Sequence, residues 1–228
     1  MKVYLVPGLG YDYRIFENLD FKGLNIEYIH WIEPRPDEHI HDYAIRLFAE
    51  IPNESEQLVL VGYSMGGVVS QEIATVKRID KIILISSIRS EKELPFLFRL
   101  IKNLRLHHLF SKKLAIDTIS FWGKKHGIGE PREHDLFRSM IAKPSGHYFK
   151  WALKALSQWK APVLPQTTQI FQIHGDNDLT FPIELIRQPD VIIKTGTHFM
   201  LYNQSEYFND ILLQEIENTQ KANNSQRT

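Results

Sequence analysis

A serine can do chemistry only where the backbone holds its hydroxyl clear of its neighbours, and one serine of this 228-residue chain has the surroundings for that. Ser64 lies within Gly62-Tyr63-Ser64-Met65-Gly66, behind an apolar run from Leu58 to Val61 and ahead of a pattern fit for an amphipathic helix from Gly67. Strand, sharp turn and helix in that order put the serine at the apex, in a left-handed, strained conformation. Its neighbours are then brought so close that only residues without a Cβ avoid a clash, which accounts for Gly62 and Gly66. The hydroxyl projects at the positive end of the helix that follows. Alone it is a poor nucleophile, so the placement has a use only if a base is brought to it.

The elements that must position such a group can be read along the chain. Lys2 to Val6 is a continuously apolar strand, suited to a sheet covered on both faces, and closes in Pro7-Gly8-Leu9-Gly10. That glycine-rich loop either brings backbone amides close to a ligand or simply opens a helix over Tyr11 to Leu19. Asn25 to Trp31 reads as a strand nearer an edge. Prolines at 34 and 36 then break the pattern before a helix over Glu38 to Ile51, with Asp37 as its cap. His39 and His41 fall on or near the solvent side of that helix with no third ligand at a useful spacing, so they read as surface rather than metal ligands. Further strands are predicted at Lys81 to Ser86, Thr168 to His174 and Asp190 to Lys194. The sum is an α/β fold, a doubly wound, mostly parallel sheet of about six strands. From Arg89 to Lys160 only helical patterns occur, over Leu94 to Leu106, Lys112 to Trp122, Glu133 to Ile141 and His147 to Trp159. A helix over Leu201 to Ile216 closes the fold, and the polar stretch 219–228 reads as a disordered tail.

The strand-turn-helix around Gly62-x-Ser64-x-Gly66 resembles the nucleophile elbow of the α/β-hydrolase family. The resemblance implies that Ser64 is the nucleophile. His174-Gly175 followed by acidic residues is similar to the family's acid loop, which puts the acid at Asp178, with Asp176 as the competing residue and a brace for the loop as its other role. Of ten histidines, only His198 stands in a glycine-containing loop between a final strand and a C-terminal helix, where the family carries its general base. The chain order Ser64, Asp178, His198 is the one expected of that fold. The backbone amides of Leu9 and Met65 would form an oxyanion hole, with Pro7 standing where the family often has histidine. A helical cap is commonly inserted after the strand that corresponds to Lys81–Ser86, and 89–160 matches it, leaving 1–88 and 161–218 as the core domain. Two departures are the short interval from Asp178 to His198 and the lack of the family's leading strands.

Composition bounds the rest. Formal net charge is zero, so no global field favours nucleic acid or a membrane, and the absence of cysteine excludes disulfides, thiol nucleophiles and thiolate metal sites. No apolar run approaches the roughly 18–20 residues of a membrane span. With no sign of a signal peptide, the chain reads as soluble and cytoplasmic. The charge is unevenly placed: residues 89–160 carry 15 Lys and Arg against six acids, near +9, and the remainder is near −9. That asymmetry would either steer an anionic substrate or dock the insert on an acidic core. The aromatics Phe96, Phe98, Phe121, Trp122, Tyr148, Phe149, Trp151 and Trp159 would either line an acyl pocket or pack the insert itself. The expected activity is a serine hydrolase cleaving a small-molecule carboxylic ester or thioester through an acyl-enzyme, without metal or organic cofactor. Two alternatives share the triad: a small-molecule binding or signalling protein with little turnover, and a C–C bond hydrolase or lyase.

Overall fold

Strands that are apolar on both faces need cover on both faces, and the computed structural model, which describes residues 1–21, 23–49, 57–109 and 111–224, provides it. Strands β1 (Lys2–Val6), β2 (Ile26–Tyr28), β3 (Leu58–Tyr63), β4 (Lys81–Ile85), β5 (Gln169–Gly175) and β6 (Val191–Ile193) form a six-stranded sheet in the order β2-β1-β3-β4-β5-β6. Every pairing is parallel. Tyr4, Val6, Leu58, Leu60, Ile82 and Leu84 face one layer, and Val3, Leu5, Val59, Val61, Ile83 and Ile85 the other. This two-residue alternation is the pleat itself. Each fully buried aliphatic side chain contributes about 1.5–3 kcal/mol.

The chain leaves β1 outward to the edge strand β2, then crosses back to β3 on the other side of β1. The connections therefore diverge at the carboxyl ends of β1 and β3, which opens a crevice there. Pro7–Gly10 follows β1 and Ser64 follows β3, so topology alone brings the glycine-rich loop beside the serine.

Helices α1 (Ile40–Leu47) and α2 (Met65–Ile73) cover one face, and α8 (Met200–Asn203) and α9 (Glu206–Asn224) cover the other. Between β4 and β5 run α3 (Phe96–Asn103), α4 (Lys112–Asp117), α5 (Ile119–Trp122), α6 (Pro131–Ala142) and α7 (Gly146–Gln158). This insert shares the protein's core. Tyr148, Trp151 and Trp159 are buried against Tyr43, Val68 and Val69, and Phe137, Met140 and Ile141 lie with Tyr11 and Tyr63. The indole Nε1–H of Trp159 donates to Glu72 Oε1 of α2 at 2.6 Å, and Trp151 Nε1–H donates to Glu38 O at 2.7 Å. Of the eight insert aromatics, Phe96 and Phe121 are exposed, Trp122 is half-buried and the other five are core. The basic insert also meets acids of the core, through Lys143–Asp12 at 2.7 Å, Lys154–Asp37 at 2.9 Å and Arg89–Asp190. These pairs are partly or wholly exposed, so they orient the insert more than they stabilise it.

Several boundaries differ from the sequence expectation, each for a local reason. Tyr11 to Leu19 holds only a 3-10 turn, Tyr13–Phe16, because Asp12 takes both the Arg14 amide and its guanidinium. Asp37 is not the cap of α1: it sits at φ 53°, His39 occupies the cap position, and the Glu38 carboxylate is held by Arg46 and the Arg35 amide. Ile51 lies outside the described residues. The second insert helix breaks at Thr118, whose hydroxyl donates to Leu114 O. The tail boundary also moves. α9 continues through Thr219, which is buried, to Asn224, so 219–224 is helical, while 225–228 lies outside the described residues. Among the described residues no helix is long and apolar enough to cross a membrane.

Trp159→Phe keeps the ring but leaves Glu72 Oε1 without its donor. The substitution is expected to lower unfolding free energy by about 1–3 kcal/mol, read from the urea midpoint.

Candidate active site

Ser64 joins β3 to α2 with φ 53° and ψ −122°, a region that side chains rarely adopt. Three hydrogen bonds hold it there. Its N–H donates to Ile85 O at 2.9 Å, and its carbonyl accepts from the Ser87 hydroxyl at 2.7 Å and the Gly67 amide at 3.0 Å. The turn is closed by backbone packed on backbone. A Cβ on Gly62 would lie 2.5 Å from Gly67 Cα, and one on Gly66 would lie 2.1 Å from Val6 O. The second contact also fixes the end of β1 against the start of α2.

The loop after β1 is therefore adjacent to Ser64. A Cβ on Gly8 would stand 3.0 Å from Ser64 Cβ, and the Gly8 carbonyl accepts from the Tyr11 amide at 3.1 Å and from Trp31 Nε1–H at 3.0 Å. Met65 is the first residue of α2, where an N–H has no acceptor within the helix. Leu9 and Met65 thus lie on the two segments that converge at Ser64.

His198 reaches the serine from the loop after β6. Its Nε2 lies 3.0 Å from Ser64 Oγ and its Nδ1 lies 2.8 Å from Asp178 Oδ2. A carboxylate accepts only, so the proton of the ring sits on Nδ1, and Nε2 is left to accept from the Ser64 hydroxyl. The other Asp178 oxygen, Oδ1, accepts from the amides of Thr180 at 2.8 Å and Phe181 at 3.0 Å. Asp176 is exposed, two residues away, and its amide donates to Ile193 O, which braces the loop. Of the two sequence candidates, Asp178 is the one brought to His198. Burial raises the Asp178 carboxyl, but the charge and hydrogen bond of His198, the charge of His174 and the Phe181 amide outweigh it and hold it below the ordinary aspartate range.

Other contacts around the site have no sequence signature. Tyr63 donates its hydroxyl to the His198 carbonyl at 2.8 Å. The fully buried His174 lies with Nε2 2.7 Å from Phe181 O, so the proton sits on that nitrogen and bridges the two ends of the acid loop. From the insert, His126 accepts the Phe199 amide on its carbonyl at 3.0 Å, and Gly127 accepts Asn203 Nδ2–H at 2.8 Å. Gly127, at φ 90°, sits so close that a Cβ would fall 2.0 Å from Thr197 Oγ1. Burial first, and the neighbouring His198 second, keep the His126 imidazole below its ordinary range against the pull of Asp178. In the sequence this corner falls in the gap between the helices expected over Lys112 to Trp122 and Glu133 to Ile141, and nothing there marks it. Ser64 is 7% exposed and His198 5%. The site is nearly closed.

The depressed Asp178 has a consequence for acid stability. The folded state holds fewer protons than the unfolded one between the two pKa values, so the stabilisation is complete above the unfolded value near 3.8 and is lost as pH falls through the lower folded one. Asp178→Asn is expected to flatten the unfolding free energy against pH below 3.8, measured by denaturant titration across that range. Gly62→Ala tests the turn separately. It should destabilise the fold by about 2–3 kcal/mol or more, read from the same titration at neutral pH.

No family model and no curated protein matches the sequence. Solved structures do. A structure of MenH from S. aureus superimposes with a TM-score of 0.72 at 17% identity, covering 96% of this chain and 94% of that one. A lipase-esterase related protein from Clostridium acetobutylicum gives 0.65 at 17% identity, covering 96% and 93%. ClbQ from the colibactin NRPS/PKS pathway gives 0.63 at 13% identity, covering 97% and 98%. Identities this low speak to architecture, and the architecture agrees over nearly the whole length: this chain has the α/β-hydrolase fold.

Proposed function

We propose that the protein is a serine hydrolase acting on a carboxylic ester or thioester. The observation that carries this reading is the continuous hydrogen-bonded line from Asp178 through His198 to Ser64, at 2.8 and 3.0 Å, ending on a strained serine. Solved structures named for esterase activity share the fold, which supports the same reaction class.

In the proposed reaction Ser64 Oγ attacks the carbonyl carbon as its proton passes to His198 Nε2. Asp178 fixes the ring and stabilises the imidazolium that forms. The carbonyl oxygen becomes an oxyanion, held by the amides of Leu9 and Met65, a contribution of about 10²- to 10³-fold for one such donor. Collapse breaks the bond to the alcohol or thiol, which leaves with the proton from His198, and Ser64 is acylated. Water then attacks the acyl carbon, gives a proton to His198, and Ser64 leaves with that proton as the acid is released. No step needs a metal or an organic cofactor. The insert 89–160 acts as a cap, keeping bulk water from the acyl-enzyme. A cavity of ≈350 Å³ lies beside the Pro7 loop, walled by Tyr11, His30, Trp31 and Met140, and one of ≈400 Å³ lies around Glu72 and Trp159; Ser64 is among the lining residues of neither.

The test is labelling by a fluorophosphonate, followed by turnover of p-nitrophenyl esters of increasing chain length. The native protein is expected to label and turn over, and Ser64→Ala to do neither. Asp178→Asn should lower kcat about 10³- to 10⁴-fold, while Asp176→Asn stays within about threefold. Labelling without turnover of any ester or thioester would favour the binding or C–C bond readings. No labelling at all would overturn the hydrolase reading.

A further inference from the structure

The insert has an outer surface that the proposed chemistry leaves unused. On α3, Phe98 and Ile101 turn inward, but Phe96, Leu97 and Leu104 project at 63%, 52% and 63% exposure. Leu97 and Leu104, seven residues apart, stand on the same side of the helix. The turn that packs against α3 adds Leu109, 72% exposed. Scattered single leucines are ordinary on a surface, but a series of large ones on consecutive elements is not. Cations stand among them. Arg99, Lys102 and Arg105 are exposed on and just after α3, with the Arg99 guanidinium 5.7 Å from the Phe96 ring centre. Between residues 92 and 125 the acids are two. Glu93 is buried and accepts the Arg89 and Arg187 amides, and Asp117 pairs with Lys113 at 2.6 Å.

We infer that this face docks on an anionic lipid surface, with the exposed Phe and Leu side chains entering the headgroup–acyl boundary and the basic residues pairing with lipid phosphates. The inference deepens the hydrolase reading by naming where the ester is held: in or at that surface, beneath which Ser64 is nearly closed off. The charge decides between occupants. A second copy of the same face would bring like charges together across a two-fold axis. Nucleic acid would satisfy the cations and leave the apolar side chains in water. An acidic protein would need pockets for its anchors, whereas these side chains project as wedges. Apolar wedges ringed by Lys and Arg suit the boundary of an anionic bilayer. The compensating −9 of the remaining chain fixes which side approaches, a feature hidden in the neutral total.

The experiment is co-sedimentation of the full chain with phosphatidylcholine vesicles, with and without phosphatidylglycerol, at low and high salt. Binding is expected only with the anionic lipid and is expected to weaken as salt rises. Leu97→Ser/Leu104→Ser and Arg99→Glu/Lys102→Glu should each weaken it, about fivefold or more per cation removed, with unchanged circular dichroism and unchanged turnover of a soluble ester. Ser64→Ala should bind vesicles as the native chain does, which separates docking from catalysis. Docking without ester turnover would overturn only the hydrolase reading. Absence of binding to anionic vesicles at low salt would overturn the docking, as would equal binding by both double variants. So would a dimer in sizing that Leu97→Ser/Leu104→Ser dissolves, or saturable capture by an acidic protein with no vesicle binding.

Discussion

Ser64 is held at φ 53° against a conformational cost of about 1–3 kcal/mol, and the surrounding chain is arranged to make any relaxation worse. Its amide is tied to β4 through Ile85 O, and its carbonyl to the segment after β4 through Ser87. On the other side Gly66 is pressed on Val6 O and Pro7 O at the end of β1. The strain can therefore persist only if β3 lies between β1 and β4, which is its place in the sheet. The same packing sets the Pro7–Gly10 loop beside the hydroxyl, so that loop is positioned by the turn itself and needs no separate element.

The parts of this arrangement that were legible in the sequence are those with a local physical cause. The glycines at 62 and 66 are demanded by the turn, and the apolar runs of β1, β3 and β4 by two-sided cover. His198 and Asp178 follow strands whose ends must meet at one edge of a parallel sheet. What was illegible depends on partners distant in sequence. Trp31 bracing Gly8, Trp159 on Glu72 and Tyr63 on the His198 carbonyl join residues 23, 87 and 135 apart. Nothing near those residues announces such bonds. Asp37 illustrates a subtler failure: a good capping residue loses the position to His39 because its neighbour Glu38 is drawn to Arg46. Thr219 fails the other way, a polar residue in an apolar-poor stretch that is nonetheless buried and whose carbonyl accepts from Gln57.

The insert shows why charge asymmetry alone is ambiguous. Part of its positive charge does meet the acidic core. Lys143, with Arg14, outweighs burial to bring the Asp12 carboxyl down to about 2. Another part, on and just after α3, is exposed among exposed apolar side chains. Arg89, Lys143 and Lys154 thus hold the insert to acids of the core, while Arg99, Lys102 and Arg105 stand exposed.

That division bears on how a substrate reaches Ser64. The corner at His126–Gly127 is tied to the His198 loop by two hydrogen bonds and by a contact too close for any Cβ. α7 and the Trp159 that ends it are tied to Glu38, just ahead of α1, and to Glu72 of α2 through two indoles. A movement of either would drag His198 from Ser64 or break a buried bond to a carboxylate. The remaining side of the insert is joined to the site by ring contacts instead, α3 meeting Phe181 through Phe98 at 6.0 Å and Phe181 in turn meeting His198 edge-on at 5.7 Å. That is the side whose outer face carries the exposed Phe and Leu. A surface that drew those side chains away from the protein would therefore act on the wall formed by Phe98 and Phe181, and through the Phe181 amide on Asp178.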